Sequence, residues 1–233
     1  TNGSQLVRHA KALKEAGVKR LNVSLDSLDE TKFKAMTRTG KLTQVLQGIN
    51  AAIEQGFERI KINAVVMRGS NDDEVLDLVE FARYKGIDIA FIEEMPLGII
   101  ESHDRAITYC SSDDVREIIE QRYPLIHHPQ KTAGPSRYYS MANHNTRIGF
   151  ISPHSHNFCG DCNRVRVTVE GRLLLCLGNE YSVDLMPILR GQPGQVEPLK
   201  QAIIASMALK PEKHHFDLNE KPQILRFMNA TGG

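Results

Sequence analysis

The chain has 233 residues, a formal net charge of +1 and 41% apolar residues. That length holds one or two domains with a sizeable core. The charge balance argues against bulk nucleic-acid binding or a polybasic membrane surface. No apolar run reaches the roughly 20 residues that span a bilayer, and the first residues lack the apolar stretch of a secretory leader.

From Thr1 to about Pro96 the pattern alternates helix and strand. SQLVRHAKALKEAG predicts a helix with Ser4 as N-cap, an apolar stripe of Leu6, Ala10 and Leu13, and Gly17 as its stop. In RLNVSLDSLD, Leu21, Val23 and Leu25 alternate with Asn22, Ser24 and Asp26, the period of a strand. Helical patterns in DETKFKAMT and LTQVLQGINAAIEQG precede a second strand, RIKINAVVM. The helix DDEVLDLVEFARYKG precedes a third, IDIAFIEEM. Strands separated by helices read as β/α units with parallel strands and right-handed crossovers. One strand face is polar, through Asn22, Ser24, Lys61 and Asn63, which suggests the lining of an occupied cavity. Asp26 and Met95 fall at carboxyl ends of strands, where α/β folds bind ligands. The chain opens on Thr1, and TNG reads as the end of an element that starts upstream, so part of a longer protein is expected.

Further on, SSDDVREIIEQRYP predicts a helix capped by Ser111 or Ser112. Short strands are expected near Arg137–Tyr139 and in TRIGFIS, and EPLKQAIIASMAL predicts a late helix. VRVTVEGRLLLCL predicts a hairpin. With Glu170-Gly171 as a two-residue turn, Val169 faces Arg172 and Cys176 returns to a place opposite Val165.

Three of the four cysteines sit around that hairpin. Cys159 and Cys162 form a C-x2-C chelate, and Cys176 is delivered by the fold. Free thiols at ligand spacing fit a reducing cytoplasm better than a secreted disulfide framework. Two occupants stay open on spacing alone. A structural zinc would need a fourth ligand, for which His154 or His156 is available. A three-cysteine [4Fe-4S] cluster would leave one iron free to bind a substrate atom. Cys110, remote from the others, reads as a small buried apolar residue. Arg164 and Arg166 share one strand face beginning two residues after Cys162. Arginine suits bidentate recognition of phosphate, so an anionic ligand beside the metal is expected, against the alternative of a solvated, salt-bridged face.

NVSLDSLD (22–29), KINAVVMRGSNDDE (61–74), FIEEMP (91–96), FCGDCNRVRVT (158–168), GRLLLCL (171–177) and the terminal Gly-Gly occur in this order. Together they resemble the MoaA family of radical S-adenosylmethionine enzymes, the GTP 3′,8-cyclases of molybdenum cofactor biosynthesis. The resemblance implies an α/β fold. It comprises the C-terminal half of an incomplete (β/α)6 barrel (1–108), a C-terminal α+β domain carrying an iron–sulfur site (109–212), and a tail (213–233). It also implies a [4Fe-4S] cluster on Cys159, Cys162 and Cys176, with an open iron for the guanine ring. GTP contacts are implied at Lys61, Asn163, Arg164, Val165 and Arg166, and S-adenosylmethionine contacts at Ser24 and Met95. Gly232 and Gly233 are implied to help position catalytic groups, although Thr231 stands where many relatives carry an apolar residue.

The family's S-adenosylmethionine-binding [4Fe-4S] cluster uses a C-x3-C-x2-C motif, which this sequence does not contain. Weak GTP binding at most, and no turnover, are therefore expected of this chain alone. The implied reaction is that of a lyase. A 5′-deoxyadenosyl radical takes the 3′ hydrogen of GTP, and the ribose radical closes onto C8 to give (8S)-3′,8-cyclo-7,8-dihydroguanosine 5′-triphosphate. A cytoplasmic homodimer handing its product to the next molybdopterin-pathway enzyme is implied too, with no nucleic-acid or membrane partner. The competing reading is a non-catalytic zinc-binding interaction module with three cysteine ligands and one histidine.

Overall fold

The computed structural model describes residues 1–129, 134–214, 216, 217 and 224. The chain divides into two compact units that interleave in sequence: Thr1–Glu94 with Ile107–His156, and Met95–Ala106 with Asn157–Gly233.

The first unit opens with the expected alternation. Its elements are α1 (Leu6–Glu15), β1 (Arg20–Ser24), α2 (Glu30–Thr37), α3 (Leu42–Glu54), β2 (Arg59–Val66), α4 (Val75–Lys85) and β3 (Asp88–Glu93). One detail is corrected: α1 follows Gln5, not Ser4. The Ser4 hydroxyl and N–H both donate to the Asn2 side-chain oxygen, at 2.9 and 3.1 Å, so Ser4 belongs to a preceding turn. Asp29 caps α2, its carboxylate accepting the Lys32 N–H at 2.8 Å.

Along β1 and β2 burial alternates. Leu21, Val23, Ile60, Ile62, Ala64 and Val66 enter one apolar core with Leu6, Val45, Ile49, Leu78 and Val79 from the helices. Asn22, Ser24, Lys61 and Asn63 occupy the other face of the strands, as the period of two requires.

After α5 (Arg105–Thr108) and α6 (Ser112–Glu120) come β4 (Leu125–His127), β5 (Arg137–Met141) and β6 (Arg147–Ile151). Ser111 is the α6 N-cap and forms a capping box with Asp114. The six strands make one sheet in the order β1-β2-β3-β6-β5-β4. β1, β2, β3 and β6 are parallel, and β5 and β4 add on antiparallel. The mixed α/β class with a parallel sheet is thus present. Thr1 lies along the edge strand β1: its carbonyl accepts the Ser24 N–H and its amine donates to the Asn22 carbonyl, both at 3.0 Å. One row of the sheet runs Ser24, Asn63, Ala90, Gly149, Tyr138. Its centre is small by necessity, because a Cβ on Gly149 would run into the Ser136 hydroxyl and the Tyr138 ring.

The second unit carries β7 (Arg166–Val167), β8 (Arg172–Leu174), β9 (Ser182–Asp184), α7 (Met186–Gly191) and α8 (Val196–Ser206). Leu173, Leu175 and Leu185 form its buried apolar centre, with Val183, Leu199 and Ile203 packed against it. The predicted hairpin exists, but its register is corrected by one residue. Arg166 faces Leu174 and Val167 faces Leu173, so the loop has three residues, 169–171, not two. The reason is Gly171 at φ +78, which closes the loop with its N–H on the Thr168 carbonyl while the Thr168 N–H reaches the Arg172 carbonyl. A three-residue loop with glycine in the left-handed region is the second common hairpin solution. No helix among the described residues is long and apolar enough to cross a membrane.

Candidate metal centre and anion site

All four cysteines are free thiols. Cys110 is the buried apolar residue expected, its thiol pushed up to about 11 chiefly by burial. The other three meet in the second unit. Cys159 opens a single 3-10 turn, Cys159–Asp161, and the Cys162 N–H closes it on the Cys159 carbonyl at 3.0 Å. That turn folds the two ends of the C-x2-C segment back on each other. Cys176 lies two residues past β8 and close enough to feel the charges of Cys159 and Cys162.

Each thiol has a nitrogen partner. Gly178 N–H points at Cys176 Sγ at 3.3 Å, and His214 Nδ1 lies 2.9 Å from Cys159 Sγ. Lys210 Nζ lies 3.9 Å from Cys162 Sγ and donates to the Leu175 and Arg164 carbonyls at 2.7 and 3.1 Å. Lys210 therefore ties the Cys162 strand to the segment that delivers Cys176. The sulfurs are electrostatically unequal. Burial pushes the Cys162 thiol up, but the Arg164 N–H and the charges of Lys210 and Arg164 outweigh it and hold the thiol below its ordinary value. Burial dominates at Cys176, whose thiol is raised despite the Gly178 N–H. A thiolate-ligated group suits this donor set, because N–H groups already face the sulfurs. Among the described residues no group of three or more His, Cys, Asp and Glu side chains is arranged to hold a single metal ion.

The arginines follow the expected parity. Cys162, Arg164 and Arg166 are half-buried, while Asn163, Val165 and Val167 between them are exposed. Arg164 stacks over the Phe158 ring at 5.7 Å. Among the described residues neither guanidinium is paired with a carboxylate. Burial and the charge of Arg164 lower the pKa of Arg166, with Cys162 and Cys176 only partly offsetting them. Two half-buried like charges beside thiols leave a deficit of negative charge.

The remaining candidates lie elsewhere. Ser24 ends β1, exposed at its carboxyl end, and Lys61 sits mid-β2 with Nζ 3.3 Å from the Tyr138 hydroxyl. Met95 follows β3 by two residues and is half-buried. Gly232 and Gly233 lie outside the described residues. His154 and His156, the zinc candidates, are engaged within the first unit: His154 Nε2 contacts the Glu94 carbonyl and His156 Nε2 the Asp113 carboxylate, both at 2.9 Å. The histidine at the thiols is His214, and it was not foreseen. Neither His214 nor Lys210 carries any spacing signal, standing 55 and 48 residues from the cysteines they touch.

Residues 1–82 match the radical SAM superfamily, and residues 87–216 match the molybdenum cofactor synthesis C family. The parallel sheet and the sulfur-and-arginine hairpin are thus those of a radical S-adenosylmethionine protein of molybdenum cofactor synthesis. Over its whole length the chain is 60% identical to the GTP 3′,8-cyclase of Marinobacter nauticus. It is 61% identical to GTP 3′,8-cyclase 2 of Pseudomonas aeruginosa and 62% identical to the GTP 3′,8-cyclase of Pseudomonas fluorescens. It spans 71%, 70% and 70% of those proteins. The chain belongs to the GTP 3′,8-cyclase family.

Proposed function

We propose that the second unit is the GTP-holding part of a GTP 3′,8-cyclase, acting in the first step of molybdenum cofactor biosynthesis. The observation that carries this is the pair of half-buried guanidiniums of Arg164 and Arg166, neither paired with a carboxylate among the described residues, beside three free thiols. Arginines without a counter-ion among the described residues, in a partly dry setting, favour a polyanion, and a triphosphate offers several bidentate acceptors.

In this reading Cys159, Cys162 and Cys176 hold a [4Fe-4S] cluster, which when bound supplies a Lewis-acidic iron for the guanine base. Arg164 and Arg166 orient the triphosphate, with Asn163 and Val165 beside them. Fixing both ends of one nucleotide restricts the ribose between them, which is how the protein lowers the entropic part of a ring closure. Lys61 is assigned to GTP, and Ser24 and Met95 to S-adenosylmethionine, on the sequence resemblance. So are the incomplete barrel, the boundaries at residues 108 and 212, the homodimer, the cytoplasmic setting and the transfer of product to the next pathway enzyme. The radical that removes the 3′ hydrogen of GTP is supplied by the S-adenosylmethionine-binding cluster, whose C-x3-C-x2-C motif is not in this sequence.

Anaerobic reconstitution followed by iron, sulfide and zinc analysis tests the reading. Iron and sulfide in near-equal amounts are the expected result. Tightly held zinc without sulfide would replace the enzyme reading with a zinc-binding module.

A further inference from the structure

The side chains around Cys159 fix a proton. The Cys159 N–H donates to Asn157 Oδ1 at 2.8 Å, so the oxygen end of that amide is committed as an acceptor. The Nδ2 end, which can only donate, therefore faces His214 Nε2 at 3.3 Å. A donor opposite Nε2 requires a lone pair there, which places the imidazole proton on Nδ1. Nδ1 lies 2.9 Å from Cys159 Sγ. The ring is held in place as well: it is buried and lies against Phe216, with centroids 3.9 Å apart. Space for it comes from Gly178, where a Cβ would come within 2.6 Å of the His214 Cβ. The same Gly178 gives its N–H to Cys176.

We propose that Asn157 and His214 form a tautomer-locked relay that directs an N–H···S hydrogen bond onto Cys159, making His214 a positioning residue for that thiolate and a control on the reduction potential of the cluster it ligates. The proposal rests on the cluster reading above. A donor on a ligating sulfur withdraws electron density, favours the more reduced cluster and so raises its midpoint potential. Outer-shell partners of this kind also hold the ligand in its binding pose.

The test uses the full chain, reconstituted anaerobically, as wild type and as His214→Leu, His214→Asn and Asn157→Asp. Iron retention under chelator challenge and the midpoint potential by EPR-monitored titration are read. His214→Leu is expected to lower the potential and to reduce iron retention about tenfold. His214→Asn, whose amide N–H falls near the position of Nδ1, is expected to restore most of both. Asn157→Asp turns a donor into an acceptor, moves the proton to Nε2 and is expected to behave like His214→Leu.

An unchanged potential in a folded, cluster-loaded His214→Leu or Asn157→Asp protein would overturn the proposal, as would His214→Asn behaving no better than His214→Leu. A strong nitrogen hyperfine coupling in the wild type, marking an Fe–N bond, would overturn it by making His214 a ligand. Wild-type protein taking up neither iron nor sulfide would defeat the cluster reading instead. The relay is then decided on the metal-free protein by imidazole nitrogen NMR: a proton on Nδ1 of His214 upholds it, and one on Nε2 ends it.

Discussion

Two half-buried arginines two residues apart repel each other unless something negative lies between them, and Arg164 with Arg166 have no carboxylate to do it among the described residues. A charge-assisted hydrogen bond contributes about 1.5–3 kcal/mol, so Arg166→Ala is expected to weaken GTP binding roughly tenfold to a hundredfold in equilibrium dialysis of the reconstituted protein. Arg166→Lys keeps the charge but loses the planar fork, and is expected to recover only part of the affinity. The arginine parity was legible from the sequence because a period of two is a property of the strand. Glu93 was not. Read only as the end of a strand, it is a buried carboxylate accepting the N–H groups of Ser112, His154 and Ser155 at 2.9, 2.8 and 3.1 Å, and the Ser155 hydroxyl. Burial pushes its pKa up, but these donors outweigh burial and hold it below the ordinary range. A carboxyl with a depressed folded pKa adds stability above its unfolded value of about 4.3, and that stability is lost as pH falls through the folded value. Glu93→Gln is therefore expected to cost about 1–3 kcal/mol at neutral pH and to flatten the acid limb of a urea-stability profile between pH 7 and 3.

At the scale of elements, the hairpin shows how one residue's backbone redirects a site. A two-residue turn would have set Cys176 opposite Val165. The three-residue loop shifts the pairing by one, setting Leu174 opposite Arg166 and Leu173 opposite Val167. Everything hangs on Gly171 at φ +78, where a Cβ would also sit 2.5 Å from the Met186 side chain. Gly171→Ala is expected to destabilise the chain by about 1–2 kcal/mol and to reduce iron uptake by disturbing the delivery of Cys176. Thermal unfolding and iron analysis of the same preparation check both. The α6 capping box, by contrast, is read straight from the local sequence. Ser111→Ala is expected to cost about 1 kcal/mol in the same unfolding measurement, with iron uptake unchanged.

On the scale of the whole molecule, the two units differ in what holds them. The first has an extended apolar core drawn from β1, β2, β3, β6 and the packed helices. Among the described residues the second is built around the buried leucines Leu173, Leu175 and Leu185 and carries three thiols. A small core leaves conformational entropy poorly offset, and under the proposed reading a metal group that binds only the folded form would supply the difference. Hydrogen exchange is expected to show rapid exchange across β8 and β9 in metal-free protein and marked protection there after reconstitution, with β2 and β3 protected in both states. Equal protection of β8 and β9 with and without metal would contradict this.

The alternation of helix and strand, the buried parity of β1 and β2, the capping of α2 and α6, the C-x2-C spacing and the shared burial parity of Arg164 and Arg166 were all determined by the sequence. Each depends on backbone geometry acting over a few residues, where spacing alone dictates direction. The tertiary structure decided the rest. It set the loop length at Gly171, placed β6 beside β3, brought donors to Glu93, and set His214 and Lys210 against the thiols. Those placements join residues far apart in the chain, and only the packing of whole elements determines which distant side chains meet.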